Sequence, residues 1–322
     1  MNPVTAIAHP NIALIKYWGN RDHTLRLPSN GSISMTLAGL ETQTTVQFDS
    51  HLSADELFIN GQKASKRASD RVSDLLNHIR SLANTHHLAR VTSSSNFAIA
   101  AGIASSSAAF AALSVAAAQA AGLDLDTKTL SRIARRGSGS ACRSLYGAFV
   151  EWFVGTDDAD SFSQPLSIGK DWELMDLIAL VDQSEKPYGS TRGHKIAESS
   201  PLQTARVSDT PRRLALCRAA IKDKDFELLC QIVELDSNLM HSVMQTSTPA
   251  LLYWTPETVR IMQAVKSWQS EKLEVCYTID AGPNVHCLCT PASANEVEHR
   301  LKKLPGVQEV ILCAQGNGAH LL

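Results

Sequence analysis

The chain opens with short apolar runs that predict strands rather than helices. The first runs are nearly continuous and partly β-branched, as in buried strands, whereas later ones alternate apolar and polar residues, as in strands with one buried face. The pair Asn60-Gly61 favours the left-handed backbone of a tight hairpin turn. Strands are predicted at 5–9, 11–18, 32–37 and 42–48, with a hairpin arm at 56–62.

Other segments repeat their apolar residues every three to four positions, the spacing of a helix that buries one face. Asp126 or Thr127 is placed to cap one of these helices. Helices are predicted at 69–82, 105–121, 126–135, 211–222, 226–240, 255–268 and 292–301, and further strands at 174–181, 274–279, 285–289 and 307–312. The mixture predicts an α+β protein, which we divide into domains 1–178 and 179–322.

Composition narrows the class of protein. The 322 residues are 44% hydrophobic, which is enough for one large domain or two medium ones. A formal net charge of −2 gives no overall basic field, so we expect no nucleic acid and no membrane among the partners. No apolar run is long enough to cross a bilayer, and the first residues lack the features of a signal peptide. A cytoplasmic location is therefore predicted.

The seven cysteines are scattered and show no C-x-x-C spacing. Cys287 and Cys289 alternate along a predicted strand, so that both thiols lie on one face. Buried, reduced cysteines are the favoured interpretation, and a zinc site is the alternative.

A run of small residues precedes the alanine-rich helix. Ala100, Ala101 and Gly102 allow the backbone to turn tightly and approach a ligand, and Ser105 to Ser107 then open the helix. The first turn of a helix has unpaired N–H groups and favours an anion such as phosphate. The alternative is a serine cap on a structural helix, since no Gly-Lys-Ser/Thr sequence follows as in a Walker loop.

A second cluster, Arg135-Arg-Gly-Ser-Gly-Ser-Ala-Cys-Arg143, combines three arginines with glycines and hydroxyls. Gly137 and Gly139 interleave with Ser138 and Ser140, which would leave N–H groups and hydroxyls free for a ligand. Guanidinium groups bind phosphate and carboxylate in a bidentate way, so this segment predicts an anion site. A plain glycine-serine loop between helices is the alternative.

Two charged residues stand at the ends of predicted strands. Lys16 follows an apolar run, and such a lysine more often extends along the surface towards solvent. Asp280 lies in a turn with Gly282 and Pro283, a common structural sequence. Beside a cationic loop, however, this carboxylate would stay ionised and could orient a hydroxyl or accept its proton.

Together these segments resemble the mevalonate diphosphate decarboxylases, a branch of the GHMP kinase superfamily that includes galactokinase, homoserine kinase and mevalonate kinase. The resemblance rests on Asn11-Ile-Ala-Leu-Ile-Lys-Tyr-Trp-Gly, Ala-Ala-Gly-Ile-Ala-Ser-Ser, the serine-arginine segment and Asp280-Ala-Gly-Pro-Asn, in the family's order over about residues 5 to 290. The helix-opening serines alone indicate the wider superfamily. The serine-arginine segment and the aspartate turn together are specific to the decarboxylases.

The resemblance implies a two-domain fold with the active site in the cleft. The N-terminal half would resemble ribosomal protein S5 domain 2, and the C-terminal half would be ferredoxin-like. It also implies ATP and Mg²⁺ as cofactors, a phosphorylated mevalonate as substrate and a homodimer. We predict no protein ligands for the metal.

The resemblance also implies a role for individual residues. Asp280 would act on the C3 hydroxyl of the substrate as base or orienting group, and Arg143 would hold the substrate carboxylate and position Asp280. Lys16 would neutralise charge near the reacting phosphoryl group, and Ser105 would meet the ATP phosphates with Ser106. The remaining assignments are Asn96, Gly102, Ala104 and Ser107 for ATP, Tyr17, Asn20, Ser138, Gly139 and Ser140 for the substrate, and Ser190 and Arg192 on a mobile loop, Lys186 to Arg192, that would close over the phosphates.

The chain departs from the family at two points. Ala98-Ile99 stands where the phosphate loop usually reads Pro-Thr, and Asn20 stands where diphosphate enzymes carry a lysine that binds the C5 diphosphate. A neutral amide in place of that lysine should penalise a diphosphate more than a monophosphate. We therefore predict that the chain converts (R)-5-phosphomevalonate to isopentenyl phosphate, CO2, ADP and phosphate.

Other substrates and activities remain open at this point. (R)-5-diphosphomevalonate, giving isopentenyl diphosphate, is the alternative substrate, because Arg192, Lys186 or His194 could supply the missing charge. A mevalonate 3-kinase without decarboxylation and a non-catalytic metabolite-binding regulator are further alternatives.

Overall fold

The computed structural model describes residues 2–97, 105–168, 171–184 and 189–322. The strands are β1 (Val4–Ala8), β2 (Asn11–Ile15), β3 (Asn20–Asp22), β4 (Leu27–Pro28), β5 (Ser32–Thr36), β6 (Thr42–Asp49), β7 (Glu56–Ile59), β8 (Gln62–Lys63), β9 (Leu88–Ser95), β10 (Phe149–Trp152), β11 (Ser163–Pro165), β12 (Met175–Leu180), β13 (Val275–Thr278), β14 (Val285–Cys289), β15 (Glu309–Cys313) and β16 (His320–Leu321). The helices are α1 (Lys66–Ala83), α2 (Ser105–Ala120), α3 (Thr127–Gly137), α4 (Ser190–Ile196), α5 (Gln203–Asp223), α6 (Phe226–Thr246), α7 (Pro256–Ser270) and α8 (Ala294–Lys302). Two 3₁₀ helices span Gly139–Leu145 and Ala197–Ser199.

The first half of the chain builds two larger sheets, one of them completed by β16, and a two-stranded sheet of β3 and β4. One has the strand order β16-β1-β6-β9-β7-β8, and the other has the order β11-β10-β5-β2. Helix α2 packs on the first sheet through fully buried alanines such as Ala111, Ala112 and Ala116. These small side chains let helix and sheet approach closely, which explains why an alanine-rich segment lies in the core. The predicted hairpin turn is confirmed, since Asn60 and Gly61 both have positive φ angles, +48° and +78°.

The second half is a four-stranded antiparallel sheet of order β13-β14-β12-β15. Helix α7 precedes β13 in the chain and packs in the core of this sheet, and α8 connects β14 to β15. This order is that of a ferredoxin-like sheet, as predicted. Because β12 pairs only with strands of this sheet, residue 178 falls inside a strand of the second half. We propose that the division between the domains lies before Met175.

Strand β2 ends earlier than its apolar pattern predicts. The pattern continues to Trp18, but the strand stops at Ile15 after a register shift against β5 that begins at Ala13. The Lys16 N–H then donates to the Asp236 carboxylate on α6 at 2.6 Å instead of to a neighbouring strand. Lys16, Tyr17 and Trp18 therefore leave the sheet and enter the space between the halves.

Several helices extend beyond their predicted bounds, and α6, for example, runs to Thr246 rather than to Met240. The serine-arginine segment is not a loop, because α3 runs through Gly137 and a 3₁₀ helix begins at Gly139. Helix α5 begins at Gln203 rather than at Pro211, which lies inside it. The buried Arg213 donates hydrogen bonds back to Arg206 O and Thr210 Oγ1, which holds the turn around this proline together.

The cysteine prediction is confirmed, because all seven cysteines are buried and none forms a disulfide. Cys287 and Cys289 contact the same core cluster, whereas Leu288 between them contacts another. Within the described residues, no group of three or more His, Cys, Asp or Glu side chains is arranged to hold a metal. None of the helices that the structure describes is long and apolar enough to cross a membrane.

Candidate active site

A cavity of about 220 Å³ lies between the two halves. The end of β2, the N-terminus of the 3₁₀ helix after α3, the turn between β13 and β14, and helix α4 all contribute to its wall. Among its lining residues are nine that the sequence analysis selected: Lys16, Tyr17, Ser106, Ser138, Gly139, Ser140, Arg143, Ser190 and Asp280. Residues up to 264 positions apart in sequence are thus brought to one site.

Lys16 and Asp280 form an ion pair across the cleft. Lys16 Nζ lies 2.6 Å from Asp280 Oδ1, and the lysine side chain is 1% exposed whereas the aspartate keeps 27% of its side chain exposed. The lysine therefore does not extend to solvent. Its position fixes one carboxylate oxygen of Asp280 and leaves the other for a ligand.

The electrostatic surroundings keep Asp280 ionised. Burial raises the pKa of its carboxyl, but the positive charge of Lys16, the neighbouring His286, the Lys16 hydrogen bond and Arg143 outweigh this effect and hold the pKa below its usual value. Asp280 is thus a hydrogen-bond acceptor for a ligand hydroxyl at neutral pH.

Arg143 is buried beside this pair, and its hydrogen bonds differ from the prediction. Its Nη1 donates to Ser32 Oγ at 2.7 Å, and its Nε and Nη2 donate to Asn11 Oδ1 at 3.2 and 3.1 Å. These neutral acceptors orient the guanidinium without neutralising it, so that its charge remains available to an anion. The direct contact of Asp280 is with Lys16, so any effect of Arg143 on Asp280 acts through space rather than through an ion pair.

The glycine-serine segment forms a hydroxyl-lined corner of the cavity. Ser138 Oγ lies 3.1 Å from Ser106 Oγ at the start of α2 and 3.5 Å from Ser140 Oγ. A Cβ at Gly139 would lie 2.5 Å from Tyr17 Cε1, so glycine is required for the tyrosine ring to pack here. The segment therefore offers hydroxyls and a close backbone approach, as the sequence predicts for an anion site.

Asn20 lies behind the cavity wall rather than in it. It is 4% exposed, and its side-chain oxygen accepts a short hydrogen bond from the Tyr17 hydroxyl. Burial raises the pKa of Tyr17 despite the nearby Arg26, so the phenol remains a donor. Asn20 therefore positions Tyr17, and direct contact with a ligand would require this hydrogen bond to break.

His194 is a neutral donor, not a cation. Burial and then the charges of Arg26 and Arg206 lower the pKa of its imidazole to about 3. Its Nδ1 accepts the Gly19 N–H at 3.0 Å, which places the remaining proton on Nε2. The ring stacks on Tyr17 with centroids 4.1 Å apart. The prediction that His194 could replace a missing positive charge is therefore wrong.

Three arginines that the sequence analysis did not select also line the cavity: Arg26, Arg67 and Arg71. With Lys16 and Arg143 they surround Asp280, the one carboxylate among the described lining residues, so the cavity suits a ligand with several negative charges. Arg67 and Arg71 lie four residues apart on α1 and so share one face. Asp70 and Asp74 follow them at i+3, so the sequence pattern reads as an ordinary charged helix face and did not indicate a ligand site, and nothing local pointed to Arg26.

An apolar slot of about 210 Å³ adjoins the cavity. Ser106 and Arg71 line both spaces, so they mark the passage between them. The slot walls are mainly apolar, with hydroxyls near the start of α2, and they include Leu57, Ile59, Val91, Ser93, Ser95, Ser105, Phe110 and Leu113. Its volume and apolar lining fit an aromatic ring, and the hydroxyls and Arg71 near the passage suit an attached anionic group.

Several predicted residues lie elsewhere. Ser107 is fully buried and lines neither space, so its assignment to a ligand is wrong. The Asn96 amide bridges Gly39 O and Glu41 N in a turn, which is a structural role. Arg192 does not line the cavity, although Ser190 and Thr191 do. From Ser190 onward the predicted loop is helix α4.

Four other predictions lie outside the described residues: Gly102, Ala104, Lys186 and the pair Ala98-Ile99.

Comparisons with known proteins match both halves of the chain. Residues 8–163 match the family model described as the diphosphomevalonate decarboxylase-like N-terminal domain, and residues 176–318 match the mevalonate 5-diphosphate decarboxylase C-terminal domain. A diphosphomevalonate decarboxylase of Rattus norvegicus is 37% identical over 87% of this chain and 75% of that protein. A phosphomevalonate decarboxylase of Haloferax volcanii is 33% identical over 91% of this chain and 90% of that protein.

Solved structures give the same result. The mevalonate diphosphate decarboxylase from Enterococcus faecalis superimposes with a TM-score of 0.94 at 35% identity, covering 99% of this chain and 98% of that one. The protein named MDDEF, solved in complex with MVAPP, AMPPCP and magnesium, has a TM-score of 0.94 at 36% identity over the same shares of the two chains.

Proposed function

This chain belongs to the diphosphomevalonate decarboxylase family, and we propose that within it the chain converts (R)-5-phosphomevalonate to isopentenyl phosphate. The general activity of the family is the ATP-dependent decarboxylation of a phosphorylated mevalonate in isoprenoid biosynthesis, and the enzyme is a lyase. Our proposal goes further and concerns the number of phosphates that the substrate carries at C5.

The ion pair of Asp280 and Lys16 supports the catalytic assignment. The second carboxylate oxygen of Asp280 accepts a hydrogen bond from the C3 hydroxyl of the substrate and takes its proton as the hydroxyl oxygen attacks the γ-phosphorus of ATP and ADP leaves. Lys16 holds the carboxylate in place and adds positive charge where negative charge builds up on the transferred group. Its burial excludes water from this contact.

Phosphorylation turns a poor leaving group into a good one. The C3–O bond then breaks, phosphate departs with the electron pair, and the C1–C2 pair moves to form the double bond as CO2 is released. The hydrogen bonds of Arg143 support its assignment to the substrate carboxylate, because among the described residues its guanidinium donates to the neutral Asn11 and Ser32 and keeps its charge. An ion pair with Arg143 would keep the substrate carboxylate ionised and in position until the C1–C2 bond breaks.

The apolar slot fits the adenine of ATP, with the phosphates directed to Ser105 and Ser106 and on to Asp280. Magnesium suits this arrangement, since it is usually held by substrate phosphates with only one or two protein groups, and the described residues form no dedicated metal cluster. When bound, Mg²⁺ would neutralise charge on the phosphates. Ser106 and Arg71, at the passage, are positioned to orient them.

The preference for a monophosphate rests on one observation. Position 20 carries a buried neutral amide already bound to the Tyr17 hydroxyl, where the family's diphosphate enzymes carry a lysine. A charge-assisted hydrogen bond contributes about 1.5–3 kcal/mol, which corresponds to roughly ten- to a hundredfold in affinity. Its loss reduces diphosphate binding more than monophosphate binding.

The diphosphate is the second candidate, and a specific observation favours it. Arg26, Arg67 and Arg71 add positive charge to the cavity that the absence of a lysine at position 20 does not remove. Most of the relatives found by comparison are also named diphosphomevalonate decarboxylases.

Steady-state kinetics with both substrates tests the proposal. We expect a higher kcat/KM for 5-phosphomevalonate, with CO2 and ADP formed in equal amounts. Asn20→Lys should raise the diphosphate-to-monophosphate ratio by about tenfold or more. Asn20→Met, which also loses the Tyr17 hydrogen bond but adds no charge, is the matched control and should leave the ratio unchanged.

A diphosphate kcat/KM equal to or above the monophosphate value in the unmodified enzyme would reject the monophosphate preference. ADP formation without CO2 would instead indicate a 3-kinase.

A further inference from the structure

The cavity contains a cation to which neither the family resemblance nor the catalytic scheme gives a role. We propose that Arg26 binds the phosphate at C5 and supplies the positive charge that position 20 lacks. This inference rests on the proposed function in one respect only, that the ligand of the cavity is a 5-phosphorylated mevalonate.

The backbone directs Arg26 towards the cavity. It ends the turn between β3 and β4, where the Leu25 N–H donates to Asp22 Oδ1 at 2.7 Å. Its φ of +51° is a left-handed conformation that side chains other than glycine, asparagine and aspartate seldom adopt. Such conformations often occur at ligand sites, where the surrounding structure holds them.

The Arg26 guanidinium has no acidic partner within the part of the chain that the structure describes. Its Nε donates to Arg136 O at 2.8 Å, which fixes the plane of the group and directs its outer nitrogens away from that carbonyl. Arg132, Arg135 and Arg136, by contrast, all pair with Asp158. Arg26 is half-buried, so it loses hydration without gaining an ion pair. A bound anion would compensate for this loss.

The neighbours of Arg26 are the residues predicted to bind the C5 phosphate. Its charge acts on both Tyr17 and His194, the stacked pair at this end of the cavity. Tyr17 in turn packs against Gly139 between the serines of the glycine-serine segment. The other groups here, His194 and Asn20, are neutral, so Arg26 provides the formal charge.

The other cations of the cavity are less suited to bind the C5 phosphate than Arg26 is. Lys16 pairs with Asp280, and Arg143 lies beside that pair. Arg71 donates to Gly137 O, stacks over Phe110 and also lines the apolar slot, so it belongs to the nucleotide side. Arg67, on the first turn of α1, lines the same outer groove as Arg26 but is exposed, so it keeps its hydration without a bound anion.

Arg26 also lines that outer groove, together with Lys66 and Lys195. It therefore stands where the cavity meets the outer groove, whereas Lys16 and Asp280 line the cavity alone. A substrate with its C3 hydroxyl at Asp280 and its carboxylate at Arg143 would extend its C5 phosphate in this direction.

Binding and kinetics of Arg26 variants test this assignment. Arg26→Gln retains most of the length and a donor for Arg136 O but removes the charge. It should weaken the binding of 5-phosphomevalonate, measured by calorimetry without nucleotide, by about ten- to a hundredfold. Binding of unphosphorylated mevalonate should change less than twofold. The KM for 5-phosphomevalonate should rise by a similar factor, whereas kcat and the KM for ATP remain within about threefold.

Arg26→Lys should recover part of the affinity, because it restores the charge without the planar fork. Arg21→Gln is the matched control, since Arg21 lies on β3, is exposed and donates only to Val154 O. It should behave like the unmodified enzyme.

Phosphomevalonate affinity within twofold of the unmodified enzyme in Arg26→Gln would overturn the assignment, as would equal losses for mevalonate and its phosphate. These outcomes differ from a failure of the proposed function. An enzyme that prefers the diphosphate refutes the monophosphate preference, but Arg26 is still judged by the difference between phosphorylated and unphosphorylated ligands.

Discussion

Lys16 illustrates how one residue can be tied to both halves of the molecule. Its backbone N–H donates to Asp236 Oδ2 and its ammonium donates to Asp280 Oδ1, each at 2.6 Å. A lysine that is 1% exposed is costly to bury unless its charge is matched. The carboxylate of Asp280 compensates the charge of Lys16, and Lys16 in turn compensates the charge of Asp280.

At this scale we expect Asp280→Asn to lower kcat by about 10²- to 10⁴-fold, the range for loss of a positioned acid–base group. Asparagine keeps the shape but lacks the negative charge that accepts the hydroxyl proton. Nucleotide affinity should change little, because the slot lies on the other side of Ser106 and Arg71. Release of CO2 and the dissociation constant for ATP are the measurements.

Asp182→Asn serves as the control, because among the described residues the Asp182 carboxylate binds Ser184 alone, and it lines neither space. More than a tenth of the original turnover in Asp280→Asn would contradict the assigned role. The lowered pKa of Asp280 sets the sign of the pH dependence, since the carboxylate remains ionised until the pH falls below the ordinary range near 4. Any loss of activity between pH 5 and 8 must then come from another group.

At the scale of elements, helix α4 closes one side of the cavity because a glycine lets it approach Trp18. A Cβ on Gly193 would collide with the Trp18 ring, and the next residue, His194, stacks on Tyr17. The helix thus carries Ser190, Thr191 and His194 to the cavity as one unit.

We therefore expect Gly193→Ala to displace α4 and raise the KM for the phosphorylated substrate by tenfold or more, with a smaller change in the KM for ATP. Crowding of this kind costs about 1–3 kcal/mol. Gly189→Ala is the matched control, since its φ is −72° and a Cβ there would meet only Arg67 Nη2 at 4.0 Å. Equal effects of the two variants on KM would contradict this account of α4.

The elements also show what the sequence pattern can and cannot reveal. Periodicity located α2 and the Asp126 cap of α3, because these signals are local. Periodicity did not predict that β2 ends at Ile15, because the residue that accepts the next N–H, Asp236, lies 220 positions away. The same limit applies to the site. Motifs identified Lys16, Arg143 and Asp280, but Arg26 depends on a turn conformation and a distant carbonyl that no local pattern encodes.

At the scale of the whole molecule, the two halves share a core rather than merely touching. Ile12 and Ile33 of the first half lie in one buried cluster with Ile178, Cys217 and Leu229 of the second. The last strand, β16, returns to pair with β1. Sequence order suggested two successive domains, but this interleaving is set by long-range packing. The cleft geometry is therefore coupled to the stability of the whole chain.

A buried ion pair in the second half of the chain anchors the backbone of Lys16 from the first half. Arg213 Nε lies 2.6 Å from Asp236 Oδ1, both side chains are fully buried, and the other oxygen of Asp236 receives the Lys16 N–H. Asp236→Asn leaves the Arg213 charge less compensated, and breaking a buried pair costs about 3–5 kcal/mol. We expect destabilisation near the lower end, because Arg213 keeps its second contact with Asp209.

Asp209→Asn provides the comparison, because it removes the exposed partner of the same arginine and should cost less than about 1 kcal/mol. Denaturant unfolding followed by tryptophan fluorescence gives the difference in stability. Asp236→Asn should also lower kcat at temperatures where it remains folded, since the Lys16 backbone loses its anchor and the contact with Asp280 shifts. Asp209→Asn should leave kcat unchanged. Equal destabilisation by the two variants, or full activity in Asp236→Asn, would show that this buried ion pair and the catalytic pair are independent.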